Sequence, residues 1–156
     1  MTGPTNIHAT AVVLDGQGVI VLGKSGSGKS SLALELLWRC HTNNIACSLV
    51  ADDRVYLESQ NGRLIASVPD TLAGLVEVRG SGIHSIAFQK SATLHLAVRL
   101  VESEKVHRVA PEGKFSVALG LGLPTLFLPE NKPCASARAI LSYLGLFSPL
   151  LARKKG

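Results

Sequence analysis

Gly18-Val19-Ile20-Val21-Leu22-Gly23-Lys24-Ser25-Gly26-Ser27-Gly28-Lys29-Ser30-Ser31-Leu32-Ala33-Leu34-Glu35-Leu36-Leu37 runs from an apolar segment through a glycine-rich turn into a segment of helical character. Within it, Gly23, Lys24, Ser25, Gly26, Ser27, Gly28, Lys29 and Ser30 complete the pattern G-x-x-x-x-G-K-[ST]. The pattern carries chemistry only between a strand and a helix, which is where it lies here. Glycines let backbone N–H groups close around phosphate oxygens, and the helix start adds the positive end of its dipole. In that role Lys29 reaches the β- and γ-phosphates and the Ser30 hydroxyl ligates Mg²⁺.

Working outward, the 156 residues are 46% hydrophobic and 17% charged, which fits one globular domain with a generous core. Aromatics are only 4%, so Leu, Val, Ile and Ala must do the packing. The net charge of +5 comes from basic residues scattered singly, apart from Arg153-Lys154-Lys155. Nucleic-acid binding calls for a basic stripe interleaved with aromatics, and no such stripe exists. Cys40, Cys47 and Cys134 form no C-x-x-C pair, so the expectation is three reduced, buried thiols in a cytoplasmic protein. No apolar run reaches the length of a membrane span and Met1 to Thr10 has no export-signal pattern. The expected chain therefore has no membrane or nucleic-acid partner.

Periodicity then places the elements. Ala11–Leu14 reads as a strand that turns at Asp15-Gly16 into the strand feeding the loop. The helix after Lys29 should end near Cys40, before His41-Thr42-Asn43-Asn44. Ile45–Ala51 reads as a buried strand beside the loop, delivering Asp52-Asp53 at its carboxyl end, where ligands gather in such sheets. Arg54–Glu58 and Arg63–Ser67 flank the hairpin turn Gln60-Asn61-Gly62. Thr93–Val101 alternates with Leu94, Leu96, Val98 and Leu100 on one face, the pattern of a half-buried strand. Leu123–Pro129 is a further strand and Ala135–Phe147 a closing helix. The fold class expected is α/β, a single P-loop domain with few helices and a mixed, strand-rich sheet.

Two more clusters bear chemistry. Neighbours on a strand point to opposite sides, so Asp52 and Asp53 can divide two tasks, one at a metal and one accepting a proton. Glu77 and Arg79, two apart in Leu75-Val76-Glu77-Val78-Arg79-Gly80-Ser81-Gly82-Ile83, share a face if extended, with Val76 and Val78 toward the core. Gly80 and Gly82 would then allow close backbone approach. A carboxylate and a guanidinium so placed suit a metal and a phosphoryl group.

These motifs, in this order from Ile7 to Leu144, resemble the bacterial HPr kinase/phosphorylase family. Ala51-Asp52-Asp53-Arg54-Val55 and Glu77-Val78-Arg79-Gly80-Ser81-Gly82-Ile83 are similar to two signatures of that family, and His8 and Arg108 stand where it has catalytic-pocket residues. The resemblance implies ATP and Mg²⁺ as cofactors and transfer to a serine of the phosphocarrier protein HPr. It implies phosphate binding by Lys29 and the loop, a metal site at Ser30 and Glu77, and Asp53 as general base with Asp52 beside it. Arg108 neutralises charge on the transferred group, with His8 and Arg79 in the same pocket. A fold like that of phosphoenolpyruvate carboxykinase and a homo-oligomer, a hexamer in the family's usual form, are implied as well.

The departures lie in three places. Only about ten residues separate Ile83 from Leu94, where fuller members carry a glycine-rich segment that grips the protein substrate. Pro129-Glu130-Asn131-Lys132-Pro133-Cys134 keeps only the proline of a stretch tied to phosphorolysis, so the resemblance carries the kinase direction further than the reverse. Residues 1–156 match the family's catalytic domain without its N-terminal domain or extended C-terminal helices, so the expectation is the short, single-domain form found in alphaproteobacteria, with 148–156 expected as a flexible basic tail. Two other readings remain open at this point: a small-molecule kinase on the same scaffold, and a non-catalytic nucleotide sensor.

Overall fold

The structure is a computed structural model, and it describes residues 4–146. The basic tail at 148–156 and the expected helix end at Phe147 lie outside the described residues. In chain order the elements are β1 (Thr5–Ile7), β2 (Thr10–Leu14), β3 (Gln17–Leu22), α1 (Lys29–Thr42), β4 (Cys47–Ala51), β5 (Val55–Gln60) and β6 (Arg63–Ser67). There follow β7 (Leu75–Val78), β8 (Gly82–Ser85), β9 (Ser91–Val101), β10 (Phe115–Ala118), β11 (Leu121–Leu123), β12 (Thr125–Pro129) and α2 (Pro133–Tyr143).

Eight strands form one sheet in the order β1-β5-β6-β9-β3-β2-β4, with β12 pairing β9. The β3–β9 and β9–β12 pairs are parallel and the rest antiparallel, so the sheet is mixed and strand-rich as expected. The two tight turns read from sequence are there: Asp15-Gly16 and Asn61-Gly62 all have positive φ, as a two-residue hairpin turn requires.

One placement differs from expectation. β4 is not next to β3; β2 lies between them and runs opposite to both. The consequence favours the site. Because β2 starts at the edge where β3 and β4 end, its first residues arrive beside the loop and the acid pair.

The sheet separates two apolar clusters. On one side Leu32, Leu36 and Cys40 of α1 and Ala137 and Ile140 of α2 pack on Val19, Val21, Leu96 and Val98. On the other, Ile20, Val50, Leu57, Leu64 and Ala97 pack together, joined by partly buried Val117 and Leu121. The strand β9 is thus buried on both faces, with Ala97 and Val98 both at 0% exposure, and is not the half-buried strand that its alternation suggests. Nor does Leu94 share a face with Leu96, since the β3–β9 register shifts between Gly18↔Leu94 and Val19↔Leu96. That bulge adds His95 as an extra residue and turns Leu94 into the second cluster.

Gly18 sits at the bulge, and its N–H donates to Nδ1 of His95 at 3.1 Å. A Cβ there would stand 2.2 Å from the Thr93 carbonyl oxygen. Gly18→Ala should therefore destabilise the fold by about 3 kcal/mol, at the upper end of overpacking costs, read as a lowered urea midpoint.

All three cysteines are free, but only Cys40 is buried; Cys134 is exposed because it lies in the first turn of α2, facing away from the sheet's core. Burial pushes the Cys40 thiol up to about 11, with Cys47 and Asp15 adding to the rise. The folded state then keeps a proton that the unfolded chain releases, so stability is held below the ordinary thiol value and lost as pH rises toward about 11. Urea midpoints should fall between pH 9 and 11, and Cys40→Ala should make that alkaline slope shallower.

Candidate functional site

At the carboxyl edge of β3 and β4 lies a cleft of about 270 Å³. One wall is the glycine-rich loop between β3 and α1. Gly26 and Gly28 both have positive φ, and Gly28 caps α1 with φ 96°. No side chain caps this helix start and no acid lies in its first turn, so the free N–H groups and the dipole face the cleft without competition.

Lys29 is 7% exposed, and its Nζ donates to the carbonyls of Gly23 (2.8 Å) and Lys24 (3.1 Å). Burial pulls its ammonium below the ordinary 10.5, while Asp53 and Asp52 pull the other way.

The two acids part at a turn and not by strand alternation, since β4 ends at Ala51. Asp52 is buried, and its Oδ1 accepts from Ser30 Oγ at 2.6 Å and Thr10 Oγ1 at 3.0 Å. Its Oδ2 takes a long contact of 3.5 Å from the Glu77 N–H, which ties β7 to the end of β4. Asp53 instead stands exposed in the cleft, bonded to Nε2 of His8. Its φ of 75° is left-handed, unusual for any residue but glycine, and this turn of the backbone is what parts the two carboxylates.

The third wall is the end of the β7–β8 hairpin. Val76 is buried under α1, while Glu77 and Arg79 are exposed and both line the cleft. Gly80 and Gly82 do not serve close approach. A Cβ at either would meet nothing within 4 Å, and their φ values of 93° and 120° show that the reversal of the chain requires them. Val78 is only half-buried, because the strand ends there and turns.

The structure thus brings His8, Lys29, Ser30, Asp53, Glu77 and Arg79 to one cleft, with Asp52 directly beneath it. It does not bring Arg108 there. Arg108 lines a separate cleft with Val109, Phe127 and Tyr143, because the segment around it lies alongside β12, the His107 N–H donating to the Phe127 carbonyl and its ring stacked 4.4 Å from Phe127. Three residues of the cleft lie outside the motifs: Thr10, which bonds Asp52, Asn131, which bonds the loop, and Ser31, the neighbour of Ser30 on α1. Thr10 stands on the strand that the sequence places on the far side of a hairpin, and Asn131 arrives from the other end of the chain.

The family model described as the HPr Serine kinase C-terminal domain matches residues 1–140. An HPr kinase/phosphorylase of Caldicellulosiruptor bescii is 32% identical over 133 residues, covering 78% of this chain and 41% of the relative. One from Brevibacillus brevis is 37% identical over 129 residues, covering 82% of this chain and 40% of the relative. The chain spans about two-fifths of the length of these relatives. Among solved structures, the Hpr(Ser) kinase/phosphatase of Coxiella burnetii superposes with a TM-score of 0.72 at 27% identity, covering 90% of this chain and 96% of that one.

Proposed function

This chain belongs to the HPr serine kinase C-terminal domain family, and from that premise we propose that it is an ATP-dependent kinase acting on a serine hydroxyl of an HPr-like phosphocarrier protein. The observation that carries the reading is the convergence of the loop, the acid pair and the Glu77–Arg79 strand end on one cleft. In this reading the domain is a P-loop module of the phosphoenolpyruvate carboxykinase type.

The residues fit the groups such a reaction needs. An uncapped helix start and positive-φ glycines suit an anion of the triphosphate class. No group of three His, Cys, Asp or Glu side chains that could cage a metal exists among the described residues. Magnesium does not ask for one, since it is held by one or two carboxylates with substrate phosphates and water. Ser30, Asp52 and Glu77 would hold it, and when bound it supplies neutralising charge at the phosphates.

The chain's own side chains then divide the work. Loop N–H groups and Lys29 orient the triphosphate, and Arg79 faces the group in transfer. Asp53 accepts the serine proton as the hydroxyl attacks, and the His8 ring holds its carboxylate in place through their hydrogen bond. The reverse step, phosphorolysis, would ask the same carboxyl to return that proton. It is the less supported direction, given the altered stretch after Pro129.

The test is to incubate the protein with radiolabelled ATP, Mg²⁺ and purified HPr. Label should appear on HPr and vanish when the acceptor serine is alanine. Nucleotide binding without transfer to HPr would overturn the proposed substrate, and nucleotide turnover driven by a small metabolite alone would replace it.

A further inference from the structure

A loop that cradles an anion must point its N–H groups inward, and its carbonyl groups then need donors elsewhere. Among the described residues, a donor can be traced for every loop carbonyl except that of exposed Ser25. The Gly23 and Lys24 carbonyls accept from Lys29 Nζ, the Lys24 carbonyl also from the Ser27 N–H, and the Gly28 carbonyl from the Leu32 N–H. The two in the middle are held from outside. Asn131 Nδ2 donates to the Gly26 carbonyl at 3.0 Å, and the Asn131 N–H donates to the Ser27 carbonyl at 2.9 Å.

Asn131 comes from the turn between β12 and α2, with φ 54°, a left-handed conformation that asparagine tolerates well. It approaches so closely that a Cβ on Gly28 would lie 2.8 Å from its Oδ1. Glycine at 28 is thus required twice, for its φ and for this contact. Beside it, Lys24 Nζ and Glu130 Oε2 are 3.8 Å apart, a second and weaker tie between the same turn and the loop.

We infer that Asn131 is a positioning residue for phosphate binding: from outside the loop it draws the Gly26 and Ser27 carbonyls away from the cleft and so presents the loop's N–H groups to the ligand. It needs no contact with the reacting atoms. This rests on the reading of the cleft as a triphosphate site. It also gives the Pro129–Cys134 stretch, which departs from the family pattern, a task in the nucleotide half of the site.

Two variants separate the donor from the turn. Asn131→Gly keeps the left-handed backbone and its N–H bond while removing the side-chain donor. Asn131→Asp keeps the shape but offers an oxygen to the Gly26 carbonyl. Calorimetric titration with inorganic tripolyphosphate and with a non-hydrolysable ATP analogue, both with Mg²⁺, should show Asn131→Gly binding each about 3–10-fold more weakly, the worth of one hydrogen bond. Asn131→Asp should be weaker still. KM for HPr should stay near wild type and the thermal midpoint should fall by no more than a few degrees, about what one hydrogen bond is worth; a loss confined in this way to the nucleotide side is not what a merely structural role would predict. Tripolyphosphate binding by Asn131→Gly equal to wild type, or full rescue by Asn131→Asp, overturns the inference. Failure of the wild-type protein to bind either ligand is a different result: it defeats the triphosphate reading itself, and the role of Asn131 with it.

Discussion

Asp53→Asn should slow phosphoryl transfer to HPr by about 10²–10⁴-fold while nucleotide still binds, the usual loss when a general base is removed. Asparagine has the same shape, tolerates the left-handed φ of 75° at this position, and can keep a hydrogen bond with His8. What it cannot do is accept a proton from the attacking hydroxyl. The measurements are kcat with saturating ATP and HPr, and separately the affinity for a non-hydrolysable ATP analogue. A second readout follows from charge. Asp53 helps to hold Lys29 protonated, so removing it should lower the Lys29 pKa further and move the alkaline limb of any residual activity to lower pH. Unchanged kcat would remove Asp53 from the chemistry and return the choice of base to its neighbours.

Lys29→Met should lower kcat/KM for ATP by about 10²–10³-fold, the scale of losing one preorganised charge at the developing transition state. The cleft is rich in acids: Asp53 and Glu77 line it and Asp52 lies under it. Without Lys29 a triphosphate would meet those carboxylates with Arg79 as the remaining Lys or Arg on the lining among the described residues. Lys29→Arg should not restore activity. The ammonium sits in a slot only 7% exposed, donating to two carbonyls six and five residues back, and a planar guanidinium has neither the size nor the geometry for it. The check is steady-state kinetics in ATP, with a thermal melt to show that the loss of two carbonyl partners has not unfolded the loop. Wild-type kcat/KM in Lys29→Met would exclude the loop from phosphate binding.

What the sequence disclosed follows from how local the signal is. The loop, its strand and its helix are consecutive, so their motif could be read whole. Asp52-Asp53 and Glu77–Arg79 carry distinctive residue types at fixed spacing; Asp53, Glu77 and Arg79 line the cleft, and Asp52 lies beneath it, bonded to Ser30. The failures are non-local. That β2 separates β3 from β4 is a pairing choice that periodicity does not contain, and it is the reason Thr10 reaches Asp52. The bulge at His95 breaks an alternation that looks unbroken in the sequence. β8 was hidden because Gly82–Ser85 is exposed along its length and has no apolar face to announce it. The β10–β11 hairpin has a glycine, Gly122, within a short strand and was likewise missed. Asn131 is a lone asparagine in a turn, and only the fold brings it against residues near the other end of the chain.

Among the described residues the β7–β8 hairpin pairs with no other strand, whereas β9 is held on both sides. Its base is pinned by the Ile86 N–H on the Gly74 carbonyl and by Gln89 on Leu49, and β7 is held by buried Val76 and the Glu77 N–H on Asp52, which leaves β8 with the β7 ladder alone. Amide hydrogens in Gly82–Ser85 should therefore exchange with solvent deuterium through local opening, long before those of β9, which wait on global unfolding. That order of exchange would make the hairpin wall, which carries Glu77 and Arg79, the yielding side of the pocket.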